Sequence, residues 1–413
     1  MPVLKNKKTT LLLLALISAI FGYSSFSSVF FIHILKLPYI PEPFLFLLFI
    51  IVYIVSSRSE ISSRSEIKIN KLPLKLVISL VLILSGMLIG VVKFNADVGD
   101  ALSSARPYLY ILLGAIFAPL FLNFNERKVL FFSLCIVIGD VFAAIYNFNY
   151  EQDYRGISAM NVFACCMLMA SSVLTKNLKY ILFSFVLCVL AIFFSGFRVV
   201  MLSTIVGFIC SILYMIKHSN LTHKLYYISF AILFIFIAPV VIVEVSSFFV
   251  DDFRFAVYRI INRTIETFDL FMAGDVTAGR YQEIGGIDRV YGYISIFPSG
   301  FIMLSEGLTG YFNDAPYLNF IVTYGVVLSA FILTFIILNS LIFIFSSFFY
   351  YNKFNSDIGM LLSVNVMMLI QMAINGRFLY ITYESIMYGV FIGLTFKYNL
   401  RFLLGLKRMY LLS

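Results

Sequence analysis

Tryptophan is absent from this 413-residue chain, and charge is scarce: Asp, Glu, Lys and Arg together make up 12% of it. A soluble domain carries roughly 25% charged residues, so a water-soluble class is excluded at the outset. Histidine occurs three times, as His33, His218 and His223, and cysteine five times. Cys135, Cys165, Cys166, Cys188 and Cys210 all fall inside apolar runs, without the loop position or spacing of a disulfide framework or a metal site. They read as packing residues. There is no Walker-type Gly-rich Lys motif, no Asp-x-Asp pair, no His-x-x-x-His and no Cys cluster. A metal site is then open only to carboxylates, and the expectation is a protein with no metal and no cofactor.

The residues present are overwhelmingly apolar: 61% hydrophobic, with a mean hydropathy of +0.98. The net charge of +9 would raise nucleic acid as the partner of a soluble protein. Here Lys and Arg serve first to set topology, and no nucleic acid is expected. The 26 tyrosines take the interfacial places that Trp would share.

A spanning helix needs about 20 apolar residues. Twelve candidates meet that criterion, at 10–34, 42–55, 75–92, 107–124, 129–147, 157–174, 179–196, 199–216, 225–249, 316–348, 358–376 and 379–396. The first follows Lys5, Lys7 and Lys8 and reads as a retained signal-anchor helix. The tenth is too long to stand upright, so it tilts, kinks or projects. With the N-terminus placed in the cytoplasm, 19 of the 30 basic residues fall on the inner side. The expected fold is thus an all-α polytopic membrane protein with both termini cytoplasmic. It divides into helices one to nine (1–249), a long outer loop (250–315), and helices ten to twelve with a cytoplasmic tail (316–413).

The inner segment 56–67 repeats Ser-Ser-Arg-Ser-Glu-Ile and reads as solvated filler. No longer repeat is visible, which argues against an inverted-repeat carrier. The outer loop is the one long segment that is not an apolar run. It holds Arg254, Arg259, Arg263, Arg280 and Arg289 with nine acids from Asp251 to Asp314. Apolar residues from Phe253 to Met272 recur at three- and four-residue spacing, which predicts an amphipathic helix on the membrane surface or against the bundle. Residues 273–292 are Gly-rich and polar, an irregular flap.

An arginine at a helix end in so apolar a chain needs a partner or a task. Arg198, in Phe-Ser-Gly-Phe-Arg, occupies the tight outer turn between the seventh and eighth spans. It reads either as a bidentate phosphate clamp or as a head-group snorkel. Arg377, in Ile-Asn-Gly-Arg, has the same placement between the last two spans, and Arg280 lies beside glycine in the loop. Three acids sit in apolar runs, Asp140, Glu244 and Glu384, where pairing with Arg or Tyr in the bundle outweighs catalysis. Asp314, just before Pro316, either favours the start of the tenth helix or takes a proton from an incoming hydroxyl. Glu283, Asp288 and Glu306 are weaker rivals. With no histidine in the loop and no metal, arginines are the means of stabilising a pyrophosphate leaving group.

These features together resemble the Wzy-type O-antigen polymerases and the related O-antigen ligases. The resemblance rests on Ser-Gly-Phe-Arg at an outer hairpin and on one long outer loop before the last three helices. That loop contains Ala-Gly-Arg and closes with Gly-Tyr-Phe-Asn-Asp-Ala-Pro-Tyr-Leu-Asn-Phe-Ile-Val-Thr-Tyr-Gly. Arg289 and Gly300 also meet an Arg-x10-Gly pattern described for such loops. The resemblance implies a helical fold similar to GT-C-type glycosyltransferases, in a bacterial inner membrane with the active site facing the periplasm. It implies undecaprenyl-pyrophosphate-linked oligosaccharide repeat units as substrates, moved as a growing chain onto the non-reducing end of a new unit. Arg198 and Arg280 match the family's arginine motifs and would grip pyrophosphate, with Arg377 added by position. Asp314 is the favoured base, and Arg289 and Glu306 are secondary candidates. Partners would be the lipid-linked glycan, membrane lipids and a chain-length regulator. Ligases carry a His before the tenth helix; none stands here, which favours polymerase. A flippase of lipid-linked sugars is the rival from another class.

Overall fold

A computed structural model describes residues 17–36, 98–118, 126–150, 162–195, 198–220, 324–351, 353–374 and 382–410, together with positions 14, 43–44, 47, 224–225, 228–229, 269, 272, 294–296 and 321. The described residues are helical, with no strand among them. The long helices are α1 (Val98–Phe117), α2 (Glu126–Tyr150), α3 (Val162–Leu174), α4 (Leu178–Ser195), α5 (Arg198–Lys217), α6 (Val326–Phe349), α7 (Ser356–Ile374) and α8 (Thr382–Tyr410). Among the described residues Glu126–Tyr146, Val199–Lys217 and Tyr324–Phe349 are long and apolar enough to cross a bilayer. Shorter apolar helices run over Arg106–Phe117, Val162–Leu174, Leu178–Ile192 and Ser356–Met372.

The chain falls into two compact units. The first comprises Met1–Ser63, Leu120–Ile265 and Phe345–Met367; the second comprises Arg64–Pro119, Glu266–Ile344 and Met368–Ser413.

In the first unit α3 is the central helix, packed against α2, α4 and α5, and every one of its residues is buried. Its sequence, Val-Phe-Ala-Cys-Cys-Met-Leu-Met-Ala-Ser-Ser-Val-Leu, is apolar all round, the pattern of a helix sheathed by others rather than facing water on one side. Ser171 and Ser172 satisfy their hydroxyls on the preceding turn, donating to Met167 O (2.6 Å) and Met169 O (2.8 Å). At 13 residues α3 is about 20 Å long, short of a bilayer, but a helix enclosed by protein need not span one. Gly207 of α5 lies against the Cys166 carbonyl of α3, so a Cβ there would collide with backbone. The glycine sets the approach of the two helices. α4 turns Leu182, Phe183 and Val186 outward while burying Cys188 and Ala191, as a helix between lipid and protein would.

The N-terminal span is not a continuous rod. The helix through Tyr23 breaks at Ser24–Ser25, resumes at Phe26–Ser28, and continues as a π-helical stretch, Val29–Ile34.

In the second unit α1 and α8 form the closest helix pair. Gly114 of α1 faces the backbone of Ile386 and Val390. Gly389 faces Ile111, and Gly393 faces Ala115 and Ala118. Glycines four residues apart on α8 let the two backbones touch, the small-xxx-small arrangement of helices packed in lipid. α6 joins α8 through Asn339 and Asn399 and through a Phe343–Tyr398 edge contact of 6.0 Å. Only 28% of the most apolar window of α6 is buried, so most of this helix presents hydrocarbon outward.

Three expected ends move. α1 begins at Val98 and carries Pro107 in its interior, where the sequence had placed a helix start. Proline is welcome in a first turn, and its presence inside a helix removes one backbone hydrogen bond. The tenth candidate is interrupted at Gly325, which adopts φ 77°, and α6 proper starts one residue later. α8 continues to Tyr410, well past the apolar run, so the tail through Lys397 and Arg401 is helical. The spans expected at 75–92 and 107–124 differ in another way, since the former lies outside the described residues. Those at 42–55 and 225–249 and the loop at 250–315 are described only at isolated positions. Asp269 and Met272 of the expected amphipathic helix are helical and exposed.

Candidate functional site

The site expected from sequence starts at the α4–α5 hairpin. α4 ends at Ser195 and α5 begins with Arg198, leaving Gly196 and Phe197 as the link. This matches the expected spans 179–196 and 199–216 to within two residues. α4 and α5 are 18 and 20 residues long, about 27 and 30 Å, close to the hydrocarbon thickness of a bilayer. Arg198 therefore opens a bilayer-length helix whose last residue is Lys217. The amide groups of a first helical turn have no intrahelical acceptor and carry the positive end of the helix dipole. An anion at this position would meet the amides of that first turn.

The rest of α5 holds that turn in place. Ser203 and Thr204 both donate to Val200 O, at 2.8 and 2.9 Å. Gly207 seats the helix on α3, and Ser211 Oγ pairs with Ser363 Oγ of α7 at 3.1 Å. At the far end the Lys217 ammonium donates to Ser347 O (2.8 Å) and Tyr351 O (2.7 Å), the last carbonyls of α6 and the turn beyond it. A cation on the carbonyl end of a helix is favourable through both hydrogen bonding and the dipole.

Of the three acids expected within apolar runs, Asp140 is the one whose side chain is described, and it is fully buried in α2. Its Oδ1 accepts from the backbone N–H of Ser25 at 2.7 Å and from the Ser25 hydroxyl at 2.6 Å. The sequence points to Arg or Tyr as a partner in the bundle; one partner the structure gives is the serine at the helix break. Asp140 of α2 thus supplies an acceptor to the start of the resumed N-terminal helix. Gly139 beside it packs on Ser24, and a Cβ there would strike the serine side chain. Four serines in the 18–27 stretch are buried, Ser18, Ser24, Ser25 and Ser27, and their density in an apolar run was the available signal for the break.

Asp314, Arg280, Arg289, Arg377, Glu306, Glu283, Asp288 and Glu244 lie outside the described residues. For Arg198 and Glu384 the structure describes the backbone only, at the first residue of α5 and the third of α8. The cysteines are free, with Cys135, Cys165, Cys166 and Cys188 buried in the helix packing of the first unit. Among the described residues no group of three or more His, Cys, Asp or Glu side chains could hold a metal ion.

The fold and these features define an α-helical membrane protein. No family model, curated protein or solved structure matches the chain.

Proposed function

We propose that this protein is a glycosyltransferase of the O-antigen polymerase type. It would join undecaprenyl-pyrophosphate-linked repeat units on the periplasmic face of the bacterial inner membrane, by transfer of the growing glycan to the non-reducing end of a new unit. The observation that carries the reading is Arg198 as the first residue of a bilayer-length helix, directly after Ser-Gly-Phe. A guanidinium carried by the first turn of a helix, whose amides have no intrahelical acceptor, would suit a pyrophosphate that gains charge as the glycan leaves. Arg280 and Arg377 would complete the grip and Asp314 would remove the proton of the accepting hydroxyl, with Arg289 and Glu306 as secondary candidates. The GT-C-like layout of twelve spans, with both termini cytoplasmic, belongs to the same proposal. The experiment is the banding of surface polysaccharide in a deletion strain carrying the wild-type gene or its variants. Loss of the ladder with retention of core plus a single unit is expected.

A flippase of lipid-linked sugars is the second reading, and one observation favours it: a buried carboxylate at a break in a membrane helix, Asp140 on Ser25. Discontinuous helices and intramembrane acids mark the binding sites of carriers. The same deletion strain separates the two, because loss of a flippase removes the single unit as well.

A further inference from the structure

Three turns of the first unit converge on Phe354. The turn after α3 brings Lys176, whose ammonium stands 4.8 Å from the centroid of the Phe354 ring. The end of α5 brings Tyr214 and His218, with ring centroids 5.9 and 6.1 Å from that of Phe354. Phe354 lies in the turn before α7, and the next residue, Asn355, donates its backbone N–H to the Tyr214 hydroxyl at 3.1 Å. Lys353 precedes Phe354, and Lys179, in the first turn of α4, follows Lys176 by three residues. Lys176, Lys179 and Lys353 are all exposed. Lys217 is at this same end but is committed to the carbonyls of Ser347 and Tyr351. Asp357, in the first turn of α7, is the acid nearest in sequence.

Two features set this cluster apart from scattered surface lysines. Lys176 adopts φ 58°, a left-handed conformation at the end of α3 that glycine or asparagine takes with less strain. A lysine held there, with its ammonium over an aromatic face, is fixed rather than free. The cations also stand at the head of an apolar strip, since Leu182, Phe183 and Val186 of α4 are all more than half exposed. Positive charge at the end of a bare hydrocarbon face fits a ligand with an anionic head and an apolar tail.

We propose that this corner binds the phosphodiester head group of an anionic phospholipid, with Lys176, Lys179 and Lys353 around the phosphate and the outward face of α4 along the acyl chains. Basic pockets at helix ends hold such head groups by short-range attraction, with each basic residue contributing about five-fold in affinity. The inference stands apart from glycan polymerisation, and its test contains no glycan.

The full-length protein, purified in detergent and stripped of lipid, would be mixed with equal amounts of dioleoylphosphatidylglycerol and dioleoylphosphatidylcholine. Lipid retained on the protein would be counted by native mass spectrometry. Wild type is expected to retain phosphatidylglycerol by about ten-fold or more over phosphatidylcholine. K179Q and K353Q should each lower that preference about five-fold, and K176Q/K179Q/K353Q should abolish it while melting at the wild-type temperature without lipid. R401Q, which removes an exposed charge from α8, should leave it unchanged. Equal retention of the two lipids by wild type would overturn the proposal, as would an unaltered preference in the triple variant. An equal loss in R401Q would show general attraction instead of a site. Displacement of phosphatidylglycerol by millimolar inorganic phosphate would show a site for the ion alone, and that too would overturn it.

Discussion

Asp140 of α2 reaches across to Ser25 and accepts from both its backbone N–H and its hydroxyl, joining two residues 115 positions apart inside the packed interior. Charge-assisted hydrogen bonds of this kind contribute roughly 1.5–3 kcal/mol each, and an unsatisfied buried partner costs about as much. D140A should therefore lower stability by about 3 kcal/mol or more, D140N by less, and S25A least of the three. Thermal melting in a single detergent checks the order. S25A more damaging than D140A would contradict the assignment.

Lys217 is expected to act as a fastener for the end of α6. K217A leaves two carbonyls without this donor and should cost about 1–3 kcal/mol, with K217R recovering part of the loss. Hydrogen exchange measured over residues 346–355 should quicken in K217A and stay near wild type over α3.

The α1–α8 and α3–α5 contacts depend on the absence of side chains. Gly389 meets the Ile111 carbonyl and Gly207 meets that of Cys166, so in each case the added atom would press on backbone that cannot rotate away. G389A and G207A should each destabilise by about 1–3 kcal/mol, the usual range for overpacking. Phe331, 71% exposed on α6, is the contrast: F331A in detergent should change the melting midpoint little. If both glycine variants melt with wild type, the close helix approach is wrong.

Asn399 donates to both the carbonyl and the Oδ1 of Asn339, yet Asn339 Nδ2 and Asn399 Oδ1 are buried without a hydrogen-bond partner among the described residues. Removing one amide strands the other, whereas removing both eliminates two orphans. N399L alone should destabilise by about 1 kcal/mol, and N339L/N399L should match or exceed wild type in a double-mutant cycle.

The clamp expected at the outer surface predicts loss of polysaccharide laddering in R198A and in R280A, with the protein still inserted. Lysine at either position should restore little, because an ammonium cannot reproduce the two parallel hydrogen bonds of a guanidinium. Full ladders in both alanine variants, at wild-type protein levels, would end the phosphate role.

Among the described residues, apolar run length located α2, α4, α5 and α7 to within a few residues. The α4–α5 hairpin, with Arg198 at its head, was legible because a 20-residue run and a Gly-bearing break both leave a direct mark on sequence. Helix interruptions were less legible. Ser24 and Ser25 differ little from other serines in lipid-facing helices, and Asp140, which supports the break, is distant in sequence. Pro107 misled in the other direction, since a proline that often starts a helix here sits within one. The Phe354 cluster could not be read from sequence at all, because Lys176, His218 and Lys353 come from three separate turns. As for the expected site, its hairpin arginine falls among the described residues, and its loop acids and remaining arginines do not.

Gly325 bends the chain just before α6, and the first amide of that helix, on Val326, donates to the carbonyl of Ser295 at 2.9 Å. Thirty residues of intervening chain are thereby closed into a ring by one bond. Such a closure works as a latch: it tethers Ser295 to the head of a helix long and apolar enough to cross a bilayer.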